Sequence, residues 1–98
     1  MEAFVAGGAT VNISGTTSTA NVALTAGIAG KQVRVYNAAA VAAFITFGDS
    51  TITATLAAGT PVAPGAVEVF GLPGLITYAA AILPSSTGSV YFTVGSGI

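Results

Sequence analysis

Apolar and polar residues alternate in short stretches along most of the chain. The clearest stretch is residues 31–37, in which Val33 and Val35 face one way while Arg34 and Tyr36 face the other. A period of two places successive side chains on opposite faces of a strand, so this stretch predicts a β-strand with one face in a core. Similar alternation predicts further strands at residues 10–14, 20–25, 44–47, 51–56, 66–70, 75–83 and 89–94.

The alternation also assigns the inward-facing positions of these strands. Beside Val33 and Val35, the residues that we expect to face the core are Val11, Ile13, Val22, Leu24, Val67, Val69, Val90, Phe92 and Val94. Tyr91 and Thr93 should then lie on the opposite face of the last strand.

Turn residues separate the predicted strands. Asp49 follows Gly48 and is expected to be a turn residue, and Pro64–Gly65 fits a type II turn, in which glycine takes a positive φ. Pro61 and Pro64 lack an N–H donor, so residues 61–65 cannot form a central strand. Residues 33–47 are predicted to form a hairpin with a loop near residues 38–40, with an alanine helical turn as the alternative.

About eight short strands, separated by turns, indicate an all-β fold. We predict a single domain, residues 1–98, folded as a small β-sandwich or jelly-roll-like barrel of antiparallel strands. Residues 1–10 are either an N-terminal arm, whose Phe4 and Val5 dock on a neighbouring molecule, or a first strand at the edge of the domain.

The composition suggests a protein that works in an assembly. Charged residues make up 5% of the chain, against about 25% in ordinary soluble domains. Alanine accounts for 20 of the 98 residues, and such small side chains bury little area in a core. Burial against neighbouring molecules would compensate for this and carry little charge-desolvation cost. The alternative is a neutral surface solvated by the 13 threonines.

Several functions are excluded by missing residue types. The chain has two basic residues, too few for nucleic-acid binding through phosphates. It has no histidine and no cysteine, and its three carboxylates share no local motif, so we expect no catalytic residues, no metal site and no cofactor. A membrane-spanning helix is not expected, because glycine and proline interrupt the uncharged run of residues 69–98.

Charged and aromatic residues supply the candidate contact sites. Arg34 and Glu68 each lie between valines, which predicts that they share a face and form a cross-strand ion pair if their strands are neighbours. They are otherwise two solvated charges, or Arg34 reaches a carboxylate of a partner. Tyr36, Tyr78 and Tyr91 are either interface aromatics or half-buried sheet residues. The predicted interface residues are Phe4, Val5, Arg34, Tyr36, Glu68 and Tyr91.

Four segments together carry a family resemblance: Val-Arg-Val-Tyr-Asn at 33–37, Phe-Ile-Thr-Phe-Gly at 44–48, Pro-Gly-Ala-Val-Glu-Val-Phe at 64–70, and Gly-Ser-Val-Tyr-Phe-Thr-Val-Gly at 88–95. In a nearly uncharged chain rich in Ala, Gly, Thr and Val, they resemble the small structural proteins of tailed bacteriophages, above all capsid decoration (cement) proteins. The resemblance covers residues 31–97. It rests on the general character of the composition and on the order of the predicted strands, and it includes no diagnostic motif.

The resemblance implies a non-enzymatic virion protein. Its partner would be the major capsid protein, it would form homo-oligomers, often trimers, and it would stabilise the capsid exterior after assembly in the host cytoplasm. Another phage component, such as a head-fibre base, tail or adaptor protein, is an alternative, and so is a carbohydrate- or receptor-binding β-sandwich module.

Overall fold

The part of the chain that the structure describes contains nine β-strands. The computed structural model describes residues 5–6, 10–24, 32–71 and 76–96, and within them no helix is present. The strands are β1 (Val5–Ala6), β2 (Val11–Gly15), β3 (Ala20–Ala23), β4 (Gln32–Asn37), β5 (Ala43–Gly48), β6 (Thr60–Val62), β7 (Val67–Gly71), β8 (Tyr78–Ile82) and β9 (Gly88–Ser96). The predicted all-β class is confirmed.

Two antiparallel sheets form the sandwich. The first runs β1-β9-β4-β7, with β2 also paired to β9, and the second runs β3-β8-β5-β6. The pairs β2–β9, β3–β8, β4–β7 and β5–β6 are nested inside one another along the chain. This is the pattern of a long hairpin rolled up so that its arms alternate between two sheets, which defines a jelly roll.

The core lies between the two sheets and combines large and very small side chains. The largest fully buried residues are Phe92, Ile45, Leu83, Val33, Val35, Val62, Val90 and Asn37. Alanines at 43, 79, 80 and 81 are also fully buried, which lets neighbouring backbone and side chains approach closely. The inward positions predicted in β2, β3, β4 and β9 all lie on the core side.

One buried polar side chain joins three parts of the fold. The Nδ2 group of Asn37 donates to the backbone oxygens of Val41 and Val62, both at 2.9 Å, and its Oδ1 accepts from the backbone N–H of Ala39 at 2.9 Å. The side chain therefore ties the end of β4 to the loop that follows it and to the end of β6. Its burial is possible because its donors and acceptor are paired.

The connection between β4 and β5 differs from the predicted hairpin. β4 pairs with β7 and β9 in the first sheet, whereas β5 pairs with β6 and β8 in the second. Residues 38–42 therefore cross from one sheet to the other, and they form bends and no helical turn. Alternation along the chain fixes which side chains face inward, but it does not fix the strand that each segment pairs with.

The predicted strand at residues 51–56 is also wrong. These residues lie in the connection between β5 and β6, where the backbone N–H of Gly59 donates to the oxygen of Thr55 at 2.9 Å and Thr19 Oγ1 accepts from the N–H of Ala54 at 2.7 Å. Hydroxyl groups of Thr and Ser compete for backbone partners in this way and favour turns over ladders.

The two predicted turns are confirmed. Gly65 has a φ of 76°, and the N–H of Ala66 donates to the oxygen of Ala63 at 3.0 Å, which closes the turn around Pro64–Gly65. Asp49 Oδ1 accepts from the backbone N–H and the hydroxyl of Thr51 at 2.9 and 2.6 Å. The segment with Pro61 forms β6, at the edge of its sheet, as the missing N–H of proline requires.

Candidate functional site: an exposed tyrosine face

The two sheets differ in how their outer surfaces are covered. The connection of residues 49–59 lies over the outer face of the β3-β8-β5-β6 sheet, where Asn21 Nδ2 donates to the oxygens of Ser50 and Ile52 at 3.1 and 3.3 Å. A Cβ built on Gly48 would come within 2.8 Å of the Ile52 side chain. Ala80, paired with Asn21 and Thr46, is fully buried beneath this connection.

The outer face of the other sheet is open. Cross-strand register places Tyr36 beside Tyr91 on one side and Val67 on the other, and Arg34 between Thr93 and Val69. We call this surface the tyrosine face, and its members are Thr10, Arg34, Tyr36, Val67, Val69, Tyr91 and Thr93. Four of the five large apolar residues exposed in the described part of the chain lie here: Tyr36 (40%), Tyr91 (37%), Val67 (44%) and Val69 (48%).

The two tyrosines form a fixed aromatic surface. Their ring centroids are 6.0 Å apart and their planes differ by 16°, so the rings are stacked. Both positions are opposite each other on neighbouring strands, where cross-strand aromatic pairs stabilise a sheet. A pair that is already ordered loses little side-chain entropy when a partner binds to it.

A shallow concavity crosses the tyrosine face. It encloses about 530 Å³ and is lined by Thr10, Arg34, Tyr36, Val67, Tyr91 and Thr93. The hydroxyl groups of Thr10 and Thr93 are 2.7 Å apart and hydrogen-bonded. The concavity thus presents apolar and aromatic walls, two threonine hydroxyls beside the phenol groups of the tyrosines, and a single guanidinium group.

The predicted Arg34–Glu68 ion pair is not formed within the chain. Arg34 is opposite Val69 and points outward, whereas Glu68 is opposite Val35 and lies on the core side of β7. Glu68 remains exposed because β7 is the last strand of its sheet. The prediction that both charges share one face is therefore wrong.

The same register corrects the two valines of β7. Val67 and Val69 were expected in the core, but they lie on the tyrosine face, and Phe70 packs inward against Phe47 with centroids 5.5 Å apart. A signal was present in the sequence. Phe70 and Glu68 are two positions apart and therefore lie on the same face of the strand, so burying the larger Phe70 turns both valines outward. Because β7 is an edge strand, Glu68 stays exposed in this orientation and its carboxylate is not desolvated.

The structure brings together three of the predicted interface residues, Arg34, Tyr36 and Tyr91. Glu68 lies on the other side of the sheet, and Phe4 is outside the described residues. Val5 belongs to β1, whose backbone pairs with Gly95 and Ser96 of β9. Thr10, Val67, Val69 and Thr93 belong to the same surface and were not predicted, because strand pairing alone assembles them.

Among the residues that the structure describes, side chains that could bind a metal ion are few. Within these residues no three His, Cys, Asp or Glu side chains are grouped so as to hold a metal ion. No helix among them has the length and hydropathy needed to cross a membrane. Hydrogen bonds from the hydroxyl and then the backbone N–H of Thr51 lower the pKa of Asp49, which assigns that carboxylate to a turn.

Fold and site together define an all-β jelly-roll sandwich with one covered and one exposed outer face. Comparison of the chain with protein-family models, with curated proteins and with solved structures finds no match in any of the three.

Proposed function

We propose that this chain is a non-enzymatic virion structural protein, a capsid decoration protein that assembles on the major capsid protein and uses its tyrosine face as a protein interface of that assembly. The observation that carries the proposal is the contrast between the two sheets. One outer face is covered by the chain's own connection, while the other exposes stacked tyrosines and two valines. Its function therefore lies in what the exposed face contacts.

The side chains of the tyrosine face suit a protein interface. Tyrosine and arginine are enriched among the residues that contribute most to binding, particularly where water is excluded around them. Val67 and Val69 extend the apolar area beside Tyr36 and Arg34 without adding a charge. Docking of this face would bury apolar surface and require desolvation of only one charged group among the described members.

A decoration protein stabilises a shell by adding buried contacts across the junctions between its subunits. A small domain can span such a junction when several copies act together, and the family resemblance favours a trimer. The protein would thus assemble in the host cytoplasm and remain on the capsid exterior. The absence of histidine and cysteine from the sequence fits a role without catalysis.

The test is to recover the tagged chain from cells that naturally produce it and to separate the extract on a density gradient. We expect the chain in the fraction of capsid-sized particles, together with a major capsid protein. A double variant, Tyr36→Ala with Tyr91→Ala, should be lost from the capsid-sized fraction, whereas the Leu56→Ala variant should still be found there. Leu56 is a matched control because it is equally exposed, at 46%, but lies in the connection that follows β5.

Other distributions in the gradient would contradict the proposal. Recovery with tails or fibres would assign the chain to another virion component, and recovery only as a small free species would remove the virion role. Particle binding that is unaffected by the double tyrosine variant would exclude the tyrosine face as the contact.

A carbohydrate-binding module is the second candidate, favoured by the shape of the concavity. Stacked tyrosines, two hydroxyls and a guanidinium group are groups that contact sugars, and jelly rolls are found among lectins. Titration with a panel of monosaccharides, followed by amide NMR, tests it. Saturable shifts confined to the tyrosine face would support this candidate, and their absence would contradict it.

A further inference from the structure

Two opposite charges lie on opposite faces of the first sheet, Arg34 on the interior strand β4 and Glu68 on the edge strand β7. Among the residues that the structure describes, the side chain of neither Arg34 nor Glu68 takes part in an ion pair or hydrogen bond. The third described charge, Asp49, is already bonded to Thr51. Since Arg34 and Glu68 are on opposite faces, β-sheet geometry prevents them from meeting within one chain.

We infer that the two charges meet between copies: Glu68 of one molecule enters the concavity of the next and pairs with its Arg34. This inference rests on the part of the proposed function in which the chain forms homo-oligomers. It names the contact by which one copy would recognise another.

The shape of the two surfaces supports this contact. Arg34 lines a concavity, whereas Glu68 projects from β7, the last strand of the sheet. An exposed carboxylate at the edge of one molecule can enter a concavity of the next, whereas two concave faces cannot fill each other. The tyrosines and Val67 beside Arg34 would exclude water from the ion pair, which strengthens its electrostatic attraction.

The charge pattern selects a second copy as the occupant. Net charge is −1 and only five residues are charged, so two copies approach each other with little long-range repulsion. The self-contact places a carboxylate against a guanidinium group, whereas a contact of two identical tyrosine faces would oppose two Arg34 side chains. Like charges at an interface are unfavourable, so the head-to-tail arrangement is preferred.

A contact between different surfaces of two identical chains is heterologous. Such contacts repeat until a ring closes, or they continue as an open filament. A ring of three such contacts would be the trimer that the proposed function expects.

Charge reversal tests the contact in the purified chain. Arg34→Glu and Glu68→Arg should each weaken self-association by about 100-fold, because each places like charges together. Combining them restores an ion pair in reversed orientation, so the double variant should recover to within about tenfold of the original association constant. Sedimentation velocity at about 100 μM measures all four proteins under conditions in which micromolar contacts are populated.

Mixing the two single variants gives an independent reading. Arg34→Glu chains carry carboxylates on both surfaces and Glu68→Arg chains carry cations on both, so only unlike chains attract each other. We expect heavier species in the mixture than in either variant alone. An intramolecular role for the two residues would produce no such effect.

Matched controls separate the contact from a change in net charge. Glu68→Gln and Asp49→Asn each remove one negative charge, but only Glu68→Gln should weaken association. Both Arg34 and Glu68 are exposed, so the fold of each variant is expected to persist and is checked by its amide NMR spectrum. If Glu68→Arg alters the spectrum, Glu68→Gln replaces it in the comparison with Arg34→Glu.

Three results would overturn the inference. They are a monomeric wild-type chain, single reversals that associate as the wild type does, and a double variant that associates no better than the single ones. Failure here is distinct from failure of the proposed function. A monomer that still sediments with capsids removes only this contact, whereas an oligomer that binds no particle removes only the capsid role.

Discussion

Asn37 connects the two sheets through both its side chain and its backbone. It is fully buried, and its side chain bonds to the backbone at positions 39, 41 and 62. Its own backbone N–H donates to the oxygen of Ala66 at 3.1 Å, and its oxygen accepts from the N–H of Gly65 at 2.8 Å. One residue therefore organises the end of β4, the crossing to β5 and the turn before β7.

Replacing Asn37 with alanine should destabilise the fold strongly. The change leaves buried backbone groups without partners, and we expect the free energy of unfolding to fall by about 3 kcal/mol. Denaturation in urea measures this value. Asn12→Ala is the control, since Asn12 is exposed on β2 and its replacement should cost little; equal losses would mean that the bonds of Asn37 are unimportant.

Asp49 gives the protein an acid-dependent contribution to stability. Hydrogen bonds from Thr51 lower the folded-state pKa of Asp49 below its usual 3.8. A lowered folded pKa stabilises the fold above the unfolded pKa, and this contribution is lost as pH falls through the folded value. Unfolding experiments between pH 2 and pH 6 should thus show a smaller acid loss in Asp49→Asn than in the wild type. Identical pH profiles would contradict this assignment.

Gly88 is required by the close approach of another loop. A Cβ at this position would lie 2.6 Å from the Cα of Ala39 and closer still to its Cβ. Gly88→Ala should therefore lower the free energy of unfolding by about 1–3 kcal/mol through steric overlap. Gly71→Ala is the control, because a Cβ there meets no atom within 4 Å; a similar loss in both variants would indicate a general effect of removing glycine.

At the scale of strands, the sequence predicts which segments form strands better than it predicts which strands pair with each other. The inward residues of β2, β4 and β9 follow from alternation, since Ile13, Val33 and Phe92 alternate with polar or exposed neighbours. In β7 the pattern Val-Glu-Val-Phe satisfies two opposite orientations, with either the valines or Phe70 facing inward. Packing against Phe47 decides between them, and that contact is formed only after distant strands pair.

The candidate site shows the same limit. Tyr36 and Tyr91 are individually visible as exposed aromatics, but 55 positions separate them in the sequence. Their stacking depends on the pairing of β4 with β9, which no local pattern specifies. The segment 51–56 alternates as a strand would, yet it has no ladder partner and instead bonds to Thr19 and to its own turn.

Replacing valine by threonine distinguishes the two orientations of β7. The two side chains have the same shape and similar strand propensity, so the change reports whether the position is buried. Val35→Thr should lower the free energy of unfolding by about 1–3 kcal/mol because it buries a hydroxyl, whereas Val69→Thr should change it by less than about 0.5 kcal/mol. A large loss in Val69→Thr, measured by urea denaturation, would restore the inward orientation.

For the whole molecule, small buried residues link stability to association. Many buried positions are alanine, which contribute little area each. A partner that binds only the folded state raises stability by mass action, and a second copy of the chain is such a partner. The melting temperature should therefore rise with protein concentration in the wild type and much less in Arg34→Glu, as measured by differential scanning calorimetry. A concentration-independent melting temperature would contradict self-association.

The nested strand pairing determines the order in which the chain can fold. Only β5 and β6 pair with an immediate neighbour among the four nested pairs, while β9 is a central strand that pairs with β1, β2 and β4. Such non-local pairing is associated with folding times of about milliseconds to seconds. During synthesis, the first sheet would lack its centre until β9 emerged from the ribosome. The tyrosine face, whose Tyr91 lies on β9, would consequently form last, so immature chains would not present the complete binding surface.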